Sequence, residues 1–208
     1  MKKVRAIVLR TAGTNCDRET AEAFRLAGAD AELVHVNALK RDRRALDGYH
    51  IMAIPGGFSY GDDIASGKVL ANELKSTLKT QVTRFVKGRK PVIGICNGFQ
   101  VLVKMGVLPD VNGESGYGIE ATLGLNDSGK FEDRWVHLAR EEASPGADLC
   151  IWTKGLPGIV YMPVAHAEGK FMPKDNTVLN TLEENGQVVF RYTDNKGERA
   201  GYPDNPNG

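Results

Sequence analysis

A cysteine between two glycines, Cys96, occupies the position in this sequence best suited to nucleophilic chemistry. It lies in Gly94-Ile95-Cys96-Asn97-Gly98, between an apolar run and a stretch with helical periodicity. The pattern Gly-x-Cys-x-Gly is typical of a nucleophile elbow, in which small flanking residues let the backbone turn sharply and expose the side chain. We therefore predict that Cys96 is a catalytic nucleophile rather than a small buried apolar side chain.

A nucleophile of this kind needs donors that stabilise the oxyanion of the transition state. The backbone N–H of Asn97 is the first predicted donor, because it would open the helix that follows the nucleophile. The second is the backbone N–H of Gly57, in a Gly56-Gly57 pair after a neighbouring apolar run. The Gln100 amide, one helical turn beyond the nucleophile, is predicted to bind a polar substrate group together with Gly56 and Phe58.

The elements that would position these residues alternate between buried strands and amphipathic helices. The apolar pattern predicts strands over 4–9, 31–36, 51–54 and 91–95, a helix over 17–27, and one long helix over 69–86. This alternation predicts an α/β fold with a doubly wound, mostly parallel sheet of flavodoxin-like type. Ligands of such sheets bind beyond the carboxyl ends of the strands, where both glycine-rich turns are expected.

The second half of the chain has a different pattern. Strands are predicted over 120–140, where Asn126-Asp127-Ser128-Gly129 would form a hairpin turn, and over 156–163 and 187–193. Residues 199–208 are turn formers and are not expected to close any element. The length favours a single domain over residues 1–208.

Composition excludes several function classes. The chain has 27 basic and 26 acidic side chains, so nucleic acid and anionic membranes are not expected as partners. Three scattered cysteines and four histidines predict no metal site and no disulfide framework, and Cys16 and Cys150 are predicted to be structural. No apolar run reaches membrane-spanning length, and we expect a cytoplasmic protein.

The motif Gly94-x-Cys96-x-Gly98-x-Gln100 resembles the active-site motif of class I, triad-type glutamine amidotransferases. Within that class the chain is similar, from end to end, to the glutamine amidotransferase subunit of phosphoribosylformylglycinamidine synthase. The more specific stretches are Gly-Thr-Asn-Cys-Asp at 13–17, Pro-Gly-Gly-Phe-Ser-Tyr-Gly-Asp at 55–62, Asn-Asp-Ser-Gly-Lys-Phe-Glu at 126–132 and Pro-Val-Ala-His-Ala-Glu-Gly at 163–169.

The resemblance implies a reaction and partners. Cysteine would attack the glutamine side-chain amide, ammonia would leave, and water would hydrolyse the glutamyl thioester. Ammonia would pass to a large synthetase subunit that makes formylglycinamidine ribonucleotide in purine biosynthesis, with a small accessory subunit in the complex. No cofactor is expected on this chain, whereas ATP and Mg are expected on the synthetase.

The sequence departs from the family pattern at the triad. The family completes its triad with a His-Pro-Glu motif near the C-terminus, and these 208 residues contain none. The chain is therefore expected to be a member lacking that segment, with an incomplete C-terminal part and weak isolated glutaminase activity. His166 and Glu168 form the only His-x-Glu pair and are tentative catalytic candidates.

Two other functions stay open on the sequence. One is a catalytically silent or ammonia-dependent structural subunit of the same complex, which the missing triad motif favours. The other is a flavodoxin-like cysteine hydrolase without glutamine chemistry, against which Gln100 and the Gly56-Gly57 pair argue.

Overall fold

The computed structural model describes residues 3–42, 44–113, 116–141 and 150–208. The chain divides into two compact units, Met1–Leu108 with Glu114–Gly118, and Pro109–Gly113 with Ile119–Gly208. We call them unit 1 and unit 2 and describe each by itself.

Unit 1 is a four-stranded parallel sheet with helices in its connections. Its elements are β1 (Arg5–Arg10), α1 (Asp17–Leu26), β2 (Asp30–His35), α2 (Val36–Arg41), β3 (Ile51–Ile54), α3 (Lys68–Thr77), α4 (Lys79–Lys87), β4 (Val92–Gly94) and α5 (Asn97–Met105), with a 3-10 turn at Ser59–Asp62. The strand order is β2-β1-β3-β4, and all pairings are parallel. The predicted α/β class and parallel sheet are confirmed.

Alternation along β1 explains why helices cover both faces of this sheet. Ile7 and Leu9 join the core cluster that contains apolar residues of α2, α3, α4 and α5. Ala6 and Val8, which point to the opposite face, join a smaller cluster with Ala21 of α1. A strand buried on both faces has the continuous apolar sequence expected of a parallel sheet.

The predicted long helix over 69–86 is wrong, because the structure has two helices, α3 and α4, separated at Leu78. Leu78 leaves the helical conformation, with φ −121° and ψ 9°, but stays fully buried. Both helices bury apolar side chains in the same core cluster. The i, i+4 pattern therefore continues through the break, which is why the sequence did not reveal it.

In the part of unit 2 that the structure describes, there are two small antiparallel sheets and one helix. Its elements are β5 (Ala121–Gly124), β6 (Glu132–Arg140), β7 (Ile159–His166), β8 (Lys170–Pro173), α6 (Asn176–Glu184) and β9 (Phe190–Thr193). The sheet orders are β5-β8 and β7-β6-β9. Val178 and Leu182 of α6 pack with Val111 in a small core.

The predicted hairpin at Asn126–Gly129 is wrong. Gly129 has the expected positive φ of 65°, but β5 pairs with β8, and β6 pairs with β7 and β9. The Asn126 side chain explains the difference, because its Nδ2 donates to Lys130 O and His166 O and so binds the turn to another segment. The turn chemistry was recognisable in sequence, whereas the strands that flank it find partners far along the chain.

Candidate active site

Cys96 lies between the end of β4 and the start of α5, and it adopts φ 53° and ψ −114°. Positive φ is uncommon for a residue with a side chain, and strain of this kind concentrates at functional sites. The side chain is exposed and its sulfur is a free thiol. The predicted strand-to-helix elbow is thus the observed local geometry.

Two glycines allow β3, β4 and α5 to approach closely around this elbow. A Cβ on Gly98 would lie 1.8 Å from the carbonyl oxygen of Ile54 in β3. A Cβ on Gly94 would lie 2.6 Å from the carbonyl oxygen of Gly98. The glycines on either side of Cys96 are therefore required by packing, in addition to the turn itself.

The Gly-Gly loop, residues 55–59, lies directly against Cys96. A Cβ on Gly56 would be 3.2 Å from Cys96 Cβ. Gly57 has φ 136°, and a Cβ there would lie 2.5 Å from the backbone nitrogen of Asn15. Phe58 is exposed beside it, with 52% of its surface accessible.

A third loop, residues 11–16 after β1, holds the Gly-Gly loop in place. Cys16 N–H donates to Gly56 O at 3.2 Å, and Phe58 N–H donates to Gly13 O at 2.9 Å. Thr14 and Gly57 form an antiparallel bridge between these hydrogen bonds. The loops after β1, β3 and β4 therefore meet at one edge of the sheet, as expected for a parallel α/β site.

The first turn of α5 carries two buried amides that contact each other. Asn97 Nδ2 donates to Gln100 Oε1 at 3.1 Å, and both side chains are buried. Asn97 Oδ1 accepts from Ser59 N–H at 3.1 Å, and its Nδ2 also donates to Asp62 Oδ1 at 3.0 Å. The sequence predicted sites for the Asn97 backbone and for Gln100, but it gave Asp62 no role, because Asp62 is 35 residues from Asn97.

Cys16 also lies at this site, although the sequence gave no reason to place it there. A Cβ on Gly56 would lie 3.7 Å from Cys16 Sγ, and Cys96 lies next to the same glycine. Burial raises the pKa of the Cys16 thiol above its ordinary value, and the neighbouring charges of Glu19, Cys96 and Asp17 raise it further. A raised pKa leaves less thiolate at neutral pH, so Cys16 is poorly suited to act as a nucleophile.

His166 and Glu168, the tentative catalytic pair, belong to unit 2. His166 ends β7, and Glu168 follows in the turn before β8, half-buried. His166 Nδ1 lies 3.0 Å from Asn126 Oδ1, and both Nδ2 hydrogens of Asn126 are donated to carbonyl oxygens, so Nδ1 is the donor. Burial lowers the pKa of His166 below its ordinary value.

Three stretches that the sequence singled out meet in unit 2. Asn126 N–H donates to Ala167 O at 2.8 Å, which joins the 126–132 stretch to the 163–169 stretch. Asn207 Nδ2 donates to Gly169 O at 2.6 Å and brings in the last residues of the sequence. Lys170 and Asp127 add an ion pair at 2.6 Å.

Two absences hold for the residues that the structure describes. Among them, no three His, Cys, Asp or Glu side chains come together as a metal-binding group. Over the same residues, no helix combines the length and the apolar character that crossing a bilayer requires.

Comparison with known proteins agrees with the geometry of unit 1. Residues 3–208 match the family described as the CobB/CobQ-like glutamine amidotransferase domain. The chain is 47% identical to phosphoribosylformylglycinamidine synthase subunit PurQ of Dehalococcoides mccartyi, over all of this chain and 77% of that protein. It is 42% identical to the PurQ subunit of Archaeoglobus fulgidus, over all of this chain and 79% of that one.

Solved structures give the same result. A chain in the structure of PurLQS from Thermotoga maritima is 30% identical, with a TM-score of 0.69 over 93% of this chain and 76% of that one. A glutamine amidotransferase of the same organism has a TM-score of 0.54 at 17% identity, over 96% of this chain and 70% of that one, and shows the fold alone. With an elbow cysteine, a facing Gly-Gly loop and relatives at this identity, the chain belongs to the PurQ family of glutamine amidotransferase subunits of phosphoribosylformylglycinamidine synthase, an enzyme of purine biosynthesis.

Proposed function

We propose that Cys96 attacks the side-chain amide carbon of L-glutamine and that the ammonia released passes to a synthetase subunit. One observation carries the proposal: an exposed cysteine at positive φ faces the Gly-Gly loop at the carboxyl edge of the parallel sheet. A sulfur–carbon bond forms, the carbon–nitrogen bond breaks, and nitrogen leaves as ammonia with the thiol proton. Water then cleaves the glutamyl thioester to glutamate and restores the thiol.

Backbone N–H groups of Asn97 and Gly57 are the proposed oxyanion donors. Asn97 is the first residue of α5, where helix geometry provides no intrahelical acceptor for the N–H. The hydrogen bonds around the Thr14–Gly57 bridge use the carbonyl oxygen of Gly56 and the N–H of Phe58. The N–H of Gly57 takes no part in these two hydrogen bonds. Each such donor contributes about 3–4 kcal/mol to the transition state.

Substrate binding is proposed for the Gln100 amide and for the wall formed by Gly56 and Phe58. Gln100 is buried in the first turn of α5, one turn from Cys96. Phe58 is exposed beside the Gly-Gly loop and would cover the bound glutamine. His166 and Glu168 are the proposed candidates for proton transfer. The hydrogen bond from His166 to Asn126 also gives His166 a structural role within unit 2.

The proposed partners are a large synthetase subunit and a small accessory subunit. One chain that this protein matches belongs to the solved structure of PurLQS from Thermotoga maritima. We propose that ATP and Mg act on the synthetase subunit and that this chain carries no cofactor of its own.

The decisive experiment uses the chain assembled with its synthetase and accessory subunits. We expect Cys96→Ala to lower glutamine-dependent amidine formation at least about a thousandfold, because removal of a nucleophile costs several orders of magnitude. Ammonia-dependent formation should persist, since the synthetase keeps its own chemistry. Cys150→Ala is the matched control and should keep both activities.

Two results would contradict the proposal. Glutamine-dependent activity that survives Cys96→Ala would exclude Cys96 as the nucleophile. An unchanged complex that uses only free ammonia would mean that the chain is a silent structural subunit.

A further inference from the structure

We infer that the side chain of Asn97, oriented by the carboxylate of Asp62, is a positioning residue that holds the Gly-Gly loop and Gln100 beside the nucleophile. This inference rests on the proposed function and adds two residues whose side chains have had no role in it. It concerns the Asn97 side chain, whereas the oxyanion donor proposed above is the Asn97 backbone N–H.

The hydrogen bonds of Asn97 fix its orientation completely. An amide side chain has an oxygen that accepts and a nitrogen that donates two hydrogens. Asn97 Oδ1 accepts from Ser59 N–H at 3.1 Å, and Nδ2 donates to Asp62 Oδ1 at 3.0 Å and to Gln100 Oε1 at 3.1 Å. A backbone N–H only donates and a carboxylate only accepts. If the Asn97 amide were turned over, its nitrogen would face the Ser59 N–H and its oxygen would face the Asp62 carboxylate, and neither pair can form a hydrogen bond.

The first consequence concerns the Gly-Gly loop. Ser59 ends that loop and is 2% exposed, so removal of Asn97 takes away the acceptor of a buried N–H. An unsatisfied buried donor is unfavourable, and the loop would relieve it by moving away from α5. Because Gly57 is only two residues earlier, this movement would displace its N–H from the oxyanion.

The second consequence concerns the direction of the Gln100 amide. Since Oε1 of Gln100 accepts from Asn97, the Nε2 donors lie on the other side of that amide. A side chain held in this way presents hydrogens to an acceptor such as the α-carboxylate or the carbonyl of glutamine. Without Asn97, the amide could turn over and present oxygen instead.

The carboxylate of Asp62 holds the Asn97 side chain in place. Its Oδ1 accepts from Asn97 Nδ2 and also from Gly67 N–H at 2.8 Å, immediately before α3. The Asp62 carboxylate therefore links the 3-10 turn, the start of α3 and the start of α5. An asparagine at position 62 would keep an oxygen in the same place, whereas an alanine would not.

The test compares four variants in the assembled complex: Asn97→Ala, Asp62→Ala, Asp62→Asn and Asp63→Ala. Asp63 is the neighbouring exposed carboxylate and serves as the matched control. The readouts are kcat and KM for glutamine, ammonia-dependent activity, and the rate at which Cys96 is labelled. Labelling uses iodoacetamide, which needs only the thiol, and a diazo-ketone analogue of glutamine, which also needs the binding site.

We expect Asn97→Ala to lower kcat/KM for glutamine about 100-fold, with both a lower kcat from the oxyanion loop and a higher KM from Gln100. Asp62→Ala should lower it about tenfold, the order that a charge-assisted hydrogen bond contributes. Asp62→Asn should restore most of that loss, and Asp63→Ala should match the unchanged complex. Labelling by the glutamine analogue should slow in parallel, while iodoacetamide labelling and ammonia-dependent activity should change little.

The outcomes separate this inference from the proposed function. If Cys96 of the unchanged complex does not react with the glutamine analogue, the proposed function fails, and this inference fails with it. If the unchanged complex reacts but Asp62→Ala equals Asp62→Asn, or Asn97→Ala keeps its kcat/KM, only the inference is overturned. If both reagents label a variant faster, the variant is loosely folded, which assigns Asn97 a general structural role and overturns the inference.

Discussion

Cys96 and Cys16 border the same glycine, yet their surroundings give the two thiols different chemical character. Cys96 lies at the elbow, where the first turn of a helix follows. Cys16 lies beside the first turn of α1, which brings the carboxylates Asp17 and Glu19 close to its sulfur. The nearby acidic charges oppose a thiolate at Cys16, so the two cysteines should be distinguishable by reactivity.

The first prediction concerns the reactivity of Cys16. Because burial and then Glu19 raise its pKa, its alkylation rate should rise with pH over a higher pH range than that of an ordinary thiol. Glu19→Gln should increase the rate at neutral pH, because one raising charge is removed. Peptide mapping after iodoacetamide treatment in a Cys96→Ser background measures this rate. Glu22→Gln, which changes a carboxylate one turn further along α1, is the control, and an equal effect from it would contradict the assignment.

The second prediction concerns pH and stability through His166. Burial lowers the pKa of folded His166 below the ordinary value of 6.5, so the unfolded chain binds a proton that the folded chain does not. Stability from this residue is therefore fully present above that value and is lost as the pH falls through the lower, folded pKa. Urea unfolding between about pH 7.5 and pH 5.5 should show a decreasing free energy of unfolding, and His166→Gln should flatten the slope. The control is His137→Gln, in the same unit, which should leave the pH dependence of the unfolding free energy unchanged. If that pH dependence persists in His166→Gln, it arises from other groups and the prediction is wrong.

At the scale of elements, close packing of β3, β4 and α5 positions Cys96. The carbonyl of Ile54 lies where a side chain on Gly98 would have to go, so the helix can approach the strand only through a glycine. Three loops from three parallel strands then meet at one edge of the sheet. The site depends on the spacing of these elements as much as on its own side chains.

The third prediction tests that spacing. Gly98→Ala should lower the free energy of unfolding by about 1–3 kcal/mol or more. The reason is that the new Cβ would overlap the backbone oxygen of Ile54, which cannot rotate away. Gly116→Ala is the matched control in the same unit, where nothing lies within 4 Å of the new Cβ. It should stay within about 0.5 kcal/mol of the unchanged chain. Equal stability of the two variants in urea titrations would show that β3 and α5 can separate at low cost.

At the scale of the whole molecule, basic and acidic side chains nearly cancel, 27 against 26. A fourth prediction follows, because nonspecific binding to polyanions depends on an excess of basic charge. The chain should pass through a heparin column at about 0.15 M salt without retention. Elution that requires twice that salt concentration would reveal a concentrated basic surface and reopen nucleic acid as a partner.

The local pattern of the sequence determined the parallel sheet, the strand-to-helix elbow and the place of Cys96 within that elbow. Buried strands, helix ends and sharp glycine turns each depend on residues within a few positions of one another, so periodicity and residue type were sufficient. The same logic failed at Leu78 and at the Asn126 turn. There, helix direction and strand pairing depend on contacts with distant residues.

Only the tertiary structure decided which groups surround Cys96. Asn97 finds Asp62 and Ser59 at separations of 35 and 38 residues, because β3 and β4 are neighbours in the sheet. Cys16 reaches the same site because β1 pairs with β3. The order of the strands in the sheet determines these contacts. That order results from the burial of the whole chain and not from any local run of residues.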